Sequence, residues 1–206
     1  YRTHRDLHSF PTRRSSDLLA SASQQRQNLL RSAGMDFVVC PSRVQEAHQI
    51  VTTCAALVRH NALLKARDVA GRTSDGIVIG ADTVVFGGGK RLIGKPRDLA
   101  EAEAILTELF SRPHWVYTGV ALIDAASGRE LVGYEKTKVH MHPLTKAEIR
   151  QYHGRTTPLD KAGGFDIEGR GGLFIHRIEG CYSNVIGLPM ARLRLMLRDL
   201  GVAVLQ

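Results

Sequence analysis

Apolar positions along the chain fall into two spacings, and the alternation between them sets the fold class. Short runs at Leu18-Leu19-Ala20, Ile77-Val78-Ile79 and Val84-Val85-Phe86 read as buried strands. The last two read as one strand interrupted where Gly80-Ala81-Asp82-Thr83 turns polar. A short strand near Arg91–Ile93 follows the chain reversal at Gly87-Gly88-Gly89. Longer strands near 114–124 and 129–142 are joined by Ala125-Ala126-Ser127-Gly128, and a final one lies near Leu173–His176. Helical spacing is predicted from Gln24 to Ala33, with Ser23 as cap and Gly34 as stop. It recurs over roughly 46–69, where Ile50, Cys54, Leu57 and Val58 share a face. Asp98 with Glu101 opens a helix to about Ser111 with Leu99, Ala102, Leu106 and Leu109 inward, and Thr145 with Glu148 opens another to about His153. Pro189 starts a last helix that ends at Leu200 before Gly201. Residues 154–171 form a Gly-rich polar loop. Strands and helices alternate without a repeat, which predicts an α/β fold with a mixed sheet.

The length of 206 residues suits one domain or two lobes sharing a core. No apolar run reaches the roughly 18 residues that span a bilayer, and the first residues lack the apolar stretch of a secretory signal. The expectation is a soluble, cytoplasmic protein without a membrane partner. Residues 1–17 show no apolar period and carry four arginines against two aspartates. They read as a disordered or extraneous segment ahead of a domain at 18–206. Cys40, Cys54 and Cys181 are too far apart and too few for a zinc site or a disulfide framework. The net charge of +8 favours anionic partners. Its spread along the chain fits a polyphosphate pocket as well as nucleic acid.

Three clusters carry candidate chemistry. Ser21, Ser23 and Arg26 stand at a strand-to-helix junction, where free backbone N–H groups, two hydroxyls and a guanidinium can cradle phosphates. An ordinary serine cap beside a surface arginine is the alternative. Asp82 sits inside a run of Ile and Val, where a carboxylate is costly to bury without a cation or hydrogen bonds. It is a candidate metal ligand, general base or both, against a turn-forming Asp at a strand end. Lys65, Lys95 and Lys161 are candidate phosphate contacts, the last two in Gly- or Pro-bearing loops, although any one alone reads as a solvated surface lysine and only their convergence would matter. His140 and His142 alternate on one strand in a spacing that could hold a metal, though exposed strand positions explain them as well.

In order along the chain these pieces resemble the Maf family of nucleotide pyrophosphatases. The matching segments are Leu19-Ala20-Ser21-Ala22-Ser23 with Arg26, Gly80-Ala81-Asp82-Thr83, Gly94-Lys95-Pro96 and Tyr117-Thr118-Gly119-Val120. Leu159-Asp160-Lys161-Ala162-Gly163 and Asn184-Val185-Ile186-Gly187-Leu188-Pro189 complete them. The resemblance implies an inosine triphosphatase-like, elongated mixed sheet with two lobes around a cleft. It implies hydrolysis of nucleoside triphosphates to monophosphate and diphosphate by attack at the α-phosphate. Asp82 would be the base, with Lys95 also in the catalytic set, and Glu46 would join Asp82 in holding Mg²⁺ or Mn²⁺. Ser21, Ser23, Gln25, Arg26, Lys65, Thr83, Asp160, Lys161 and Glu168 would bind substrate.

Departures bear on specificity. The family's usual Ser-Pro-Arg-Arg reads Ser23-Gln24-Gln25-Arg26 here. The branch similar to dTTP/UTP pyrophosphatases tends to carry Arg, Thr and Gln at three discriminating positions, and the 7-methyl-GTP branch Trp, Gln and Glu. This chain has Gln25, Thr83 and Glu168. Thr83 and Lys161 point to dTTP or UTP, which is the expectation, and Glu168 leaves 7-methyl-GTP as the alternative. No stable nucleic-acid partner is expected, because aromatic residues are only 6% and scattered. A homodimer is compatible with the resemblance, and a non-catalytic role in cell division or nucleic-acid binding is the rival that intact Asp82 and three lysine motifs oppose.

Overall fold

A computed structural model describes residues 17–47, 53–87 and 92–204. Of the tail expected over residues 1–17, residues 1–16 lie outside them, and Asp17 belongs to the first strand. Strand β1 (Asp17–Leu19) begins one residue ahead of the expected start, and the Asp17 carboxylate accepts a hydrogen bond from Ile77 N at 3.1 Å. Helix α1 (Gln24–Ser32) is capped by Ser23 as predicted. β2 (Phe37–Val39) follows; three residues are too few to show a period, so the sequence reading missed it.

Helix α2 (Cys54–Ala70) corrects the helix expected over 46–69. Thr53 has extended backbone and its hydroxyl accepts from Ala56 N at 3.0 Å, so the helix starts there. Residues 41–47, with Glu46, form an irregular segment ahead of it, and Ile50 lies outside the described residues. β3 (Ile77–Phe86) is also a correction: it runs unbroken through Asp82 because all ten residues pair with β5 (His114–Asp124). β4 (Leu92–Ile93), α3 (Leu99–Phe110), β6 (Glu130–Met141) and α4 (Lys146–His153) stand close to their predicted places. Asp98 caps α3, but Glu101 bonds to Arg97 rather than back to the cap, and Leu99 is exposed, not inward. The loop after α4 contains three 3-10 turns, at Pro158–Asp160, Ala162–Gly164 and Gly169–Leu173. β7 (Ile175–Glu179) lies two residues later than expected, since Leu173 ends a turn with its side chain in solvent. The unpredicted α5 (Tyr182–Ile186) precedes α6 (Met190–Asp199).

The strands form one mixed sheet in the order β2-β1-β3-β5-β6-β7, with β4 on the end of β3. β1 is parallel to β2 and β3, and the remaining pairs are antiparallel. Strand alternation divides β3 between two faces. Ile77, Ile79 and Ala81 pack with Leu30 of α1 and Leu193 and Leu197 of α6. Val78 packs on the opposite face with Ala62, Ala66 and Val69 of α2. Val85 belongs to a separate core with Ile105 and Leu109 of α3, Ile149 and Tyr152 of α4, Phe165 and Phe174. The sheet therefore carries two lobes, and Asp82, Thr83 and Val84 fall between their cores.

Helix α2 lies unusually close to the sheet. A Cβ on Gly80 would come within 2.2 Å of Ala62 O, and one on Gly119 within 2.1 Å of Val58 O. Gly80→Ala is expected to cost about 3 kcal/mol in chemical denaturation, since backbone atoms must give way. His114 is a second test of the fold. It is fully buried in the second lobe, edge-on to Phe165 at 5.4 Å. Burial lowers its pKa from 6.5 to about 4. The native state thus favours the neutral ring, so this contribution is complete above the ordinary value and is lost as pH falls toward the depressed one. Between those limits the stability should drop by about 3 kcal/mol more in the wild type than in His114→Phe, measured by denaturant titration at each pH.

Candidate active site

Asp82 and Thr83 are neighbours in β3, so their side chains leave the sheet on opposite faces. Asp82 points toward α2, where Asn61 and Lys65, one helical turn apart, meet it. Asn61 Nδ2 donates to Asp82 Oδ2 at 2.9 Å and Lys65 Nζ to Oδ1 at 2.9 Å. The same ammonium contacts Glu46 Oε1 at 2.9 Å and donates to Ala81 O at 3.2 Å. Both carboxylates thus converge on one cation position, their oxygens no further apart than twice the ammonium distance. Burial alone would push the Asp82 carboxyl up, but Lys65, Asn61 and Arg26 together hold it below the usual carboxylate range.

Asn61 is the residue that sequence reasoning missed. Besides holding Asp82, its side chain accepts from Ala47 N and donates to Ala47 O, both at 3.0 Å. One buried amide therefore ties the irregular segment bearing Glu46 to the strand bearing Asp82. Its position four residues before Lys65 was the available signal, though an isolated Asn in a helix carries no motif.

On the opposite face, Thr83 faces Arg26. The buried guanidinium donates to Ser21 Oγ at 2.9 Å, Thr83 Oγ1 at 3.0 Å and Gly187 O at 2.8 Å. All three partners are neutral oxygens. Desolvation consequently lowers the Arg26 pKa, opposed by the charges of Asp82 and Glu46. Thr83 also shares a hydrogen bond with Thr118 at 2.9 Å, and Thr118 donates to Asn184 O at 3.1 Å. Gly187 follows α5 with φ of 125°, a conformation that presents its carbonyl to Arg26 and favours glycine. The segment Asn184–Pro189 thereby acquires a physical role as the wall behind Arg26. Ser23 caps α1 and donates to Gln25 Oε1 at 3.0 Å.

Lys161, Asp160 and Glu168 lie in the second lobe. Lys161 Nζ donates to Thr157 O, Thr157 Oγ1 and Asp160 Oδ1 at 3.1, 2.7 and 3.1 Å. With Arg155, Asp166, Glu168 and Arg170 it lines an open pocket of about 520 Å³. Burial raises the Asp166 carboxyl despite Lys161 nearby. Lys95 is exposed, with no ion pair among the described residues, but its loop is fixed to the Lys161 loop by Gly163 N donating to Gly94 O at 3.0 Å. No hydrogen bond or ion pair among the described residues joins these lysines or Glu168 to Asp82. The structure thus assembles two clusters, one around Asp82 and Arg26 and one around Lys161. His140 bonds Glu179 at 2.7 Å, and His142 stacks on His176. No group of three or more metal-binding side chains suited to a metal ion occurs among the described residues.

A family profile described as Maf-like protein matches residues 18–200. The chain belongs to the Maf-like family. Among curated relatives, the dTTP/UTP pyrophosphatase of Pelotomaculum thermopropionicum is 45% identical over 91% of this chain and 98% of that protein. The dTTP/UTP pyrophosphatase of Acetivibrio thermocellus is 41% identical over 92% and 97%, and that of Carboxydothermus hydrogenoformans 45% over 89% and 97%. A solved structure of the Staphylococcus aureus Ham1 protein is 15% identical, with a TM-score of 0.49 over 90% of this chain and 99% of that one. Within this Maf-like chain, the six segments that carried the resemblance form the Asp82–Arg26 cluster and its neighbouring lysine loops.

Asn61→Ala should lower stability by about 2 kcal/mol, because it leaves Asp82 and the Ala47 backbone short of partners. Amide exchange at Ala47 should accelerate selectively. Unchanged exchange there would show that Asn61 does not hold the Glu46 segment.

Proposed function

We propose that this chain hydrolyses nucleoside triphosphates between the α- and β-phosphates, with dTTP and UTP as preferred substrates. The observation that carries the reading is the convergence of Glu46, Asp82 and Lys65 on one face of β3, with a buried arginine on the other whose partners among the described residues are neutral oxygens. Such an arrangement grips a polyanion and holds a carboxylate near it. The names of the curated relatives support the pyrimidine choice. Glu168 at the rim of the second-lobe pocket keeps 7-methyl-GTP as the comparison substrate.

The two carboxylates also fit a hard divalent cation. They offer oxygen donors to a single position, and Mg²⁺ or Mn²⁺ is commonly held by one or two carboxylates with phosphate and water completing the shell. Glu46 and Asp82 would hold it, and the ion when bound supplies Lewis-acid neutralisation of phosphate charge. Ser21, Ser23, Gln25 and Arg26 bind the substrate at the α1 end, while Lys65, Lys95, Asp160 and Lys161 meet it from the other walls. Thr83 holds the guanidinium in place. Asp82 accepts a proton from the attacking water as its oxygen bonds to the α-phosphorus. The bond from that phosphorus to the bridging oxygen breaks, and diphosphate departs with its charge offset by the lysines.

A panel of dTTP, UTP, ATP and 7-methyl-GTP, assayed for pyrophosphate with Mg²⁺ or Mn²⁺, tests this reading. Release should be fastest from dTTP or UTP and should fall at least about 100-fold in Asp82→Asn. Stepwise orthophosphate release would place the cleavage elsewhere and refute it.

A further inference from the structure

The three N–H groups of a lysine ammonium can each serve one acceptor, and Lys65 has an oxygen for each. Its nitrogen stands 2.9 Å from Glu46 Oε1, 2.9 Å from Asp82 Oδ1 and 3.2 Å from Ala81 O. This is an oxygen shell around a cation, supplied by the protein itself. The position is nearly closed on the strand side, where the Lys65 and Asp82 side chains are 9% and 7% exposed, and open on the Glu46 side at 41%.

We propose that Lys65 is the resident cation of the nucleotide-free protein, and that a divalent ion enters only together with the nucleotide. This rests on the hydrolase reading above and adds an order of events to it. Two facing carboxylates without a cation repel each other, and the ammonium relieves that repulsion before any ligand arrives. A divalent ion reaching the same oxygens meets a positive charge already in hydrogen-bond contact with them, in a buried setting that screens like charges poorly. Lys65 must leave before the ion can settle. Without a nucleotide, its departure exchanges three fixed contacts with the protein for water and leaves the two carboxylates facing each other. A triphosphate changes the balance, since its oxygens give the ammonium new partners as the ion takes the carboxylates. Lys65 is thus a positioning residue toward the ion, in addition to its phosphate contact.

Mn²⁺ titration of the nucleotide-free protein, read by electron paramagnetic resonance and by the shift in thermal midpoint, tests this without turnover. Lys65→Met should bind Mn²⁺ at least about tenfold more tightly than wild type, and Mn²⁺ alone should raise the midpoint of the variant but not of wild type. Lys65→Gln, which keeps a hydrogen-bonding head without charge, serves if the methionine variant does not fold, and should show the same gain. The wild type is informative by itself: a midpoint raised by Mn²⁺ without nucleotide, and no longer raised in Glu46→Gln, overturns the proposal. Equal Mn²⁺ affinity in wild type and variants overturns it too. Either result, alongside intact pyrophosphate release by the wild type, would leave the hydrolase reading standing and remove only the order of entry.

Discussion

Helix α2 reaches the sheet because Gly80 and Gly119 present no side chains to it. Carbonyl oxygens of the helix occupy the space where their Cβ atoms would stand. Those two glycines flank Asp82, one two residues before it in β3 and the other directly across the ladder in β5. The close approach brings Asn61 and Lys65 down onto the carboxylate with contacts of 2.9 Å. A helix riding higher would leave a nearly dry aspartate without partners, a state that burial strongly disfavours. Packing and chemistry at this point are therefore one constraint.

From that contact the remaining groups follow in sequence. Asn61 carries the organisation from the strand out to Ala47 and so to Glu46, although that segment has no secondary structure of its own. On the other face, Thr118 bonds Thr83 and the Asn184 carbonyl, while Arg26 spans Thr83 and the Gly187 carbonyl. The site draws on residues from 21 to 187, held by backbone carbonyls as much as by side chains. It lies where the core of one lobe ends and the other begins, so neither apolar cluster has to accommodate its charges.

The sequence was legible where a period or a cap spoke for itself. Ser23, Asp98 and Thr145 mark their helices correctly, and the long strands β5 and β6 match their apolar runs. It was less legible where pairing overrode local pattern. The polar step at Gly80–Thr83 suggests an interrupted strand, yet hydrogen bonds to β5 carry β3 straight through. The helix over 46–69 failed at its start because Thr53 caps it and Glu46 belongs to the approach. Candidate residues could be named from their contexts, but their partnerships could not. Nothing in the spacing of Asn61, Lys65 and Glu46 says that they meet, since that depends on the depth at which a helix rests on a sheet.

The opposite facing of Asp82 and Thr83 carries an evolutionary corollary. Their duties differ only because a strand flips its side chains at every residue. Gaining or losing one residue in β3 would send the carboxylate to the arginine and the hydroxyl to the lysine, inverting the chemistry of both walls at once. The length of β3 is thus as much a part of the design as the identities of Asp82 and Thr83.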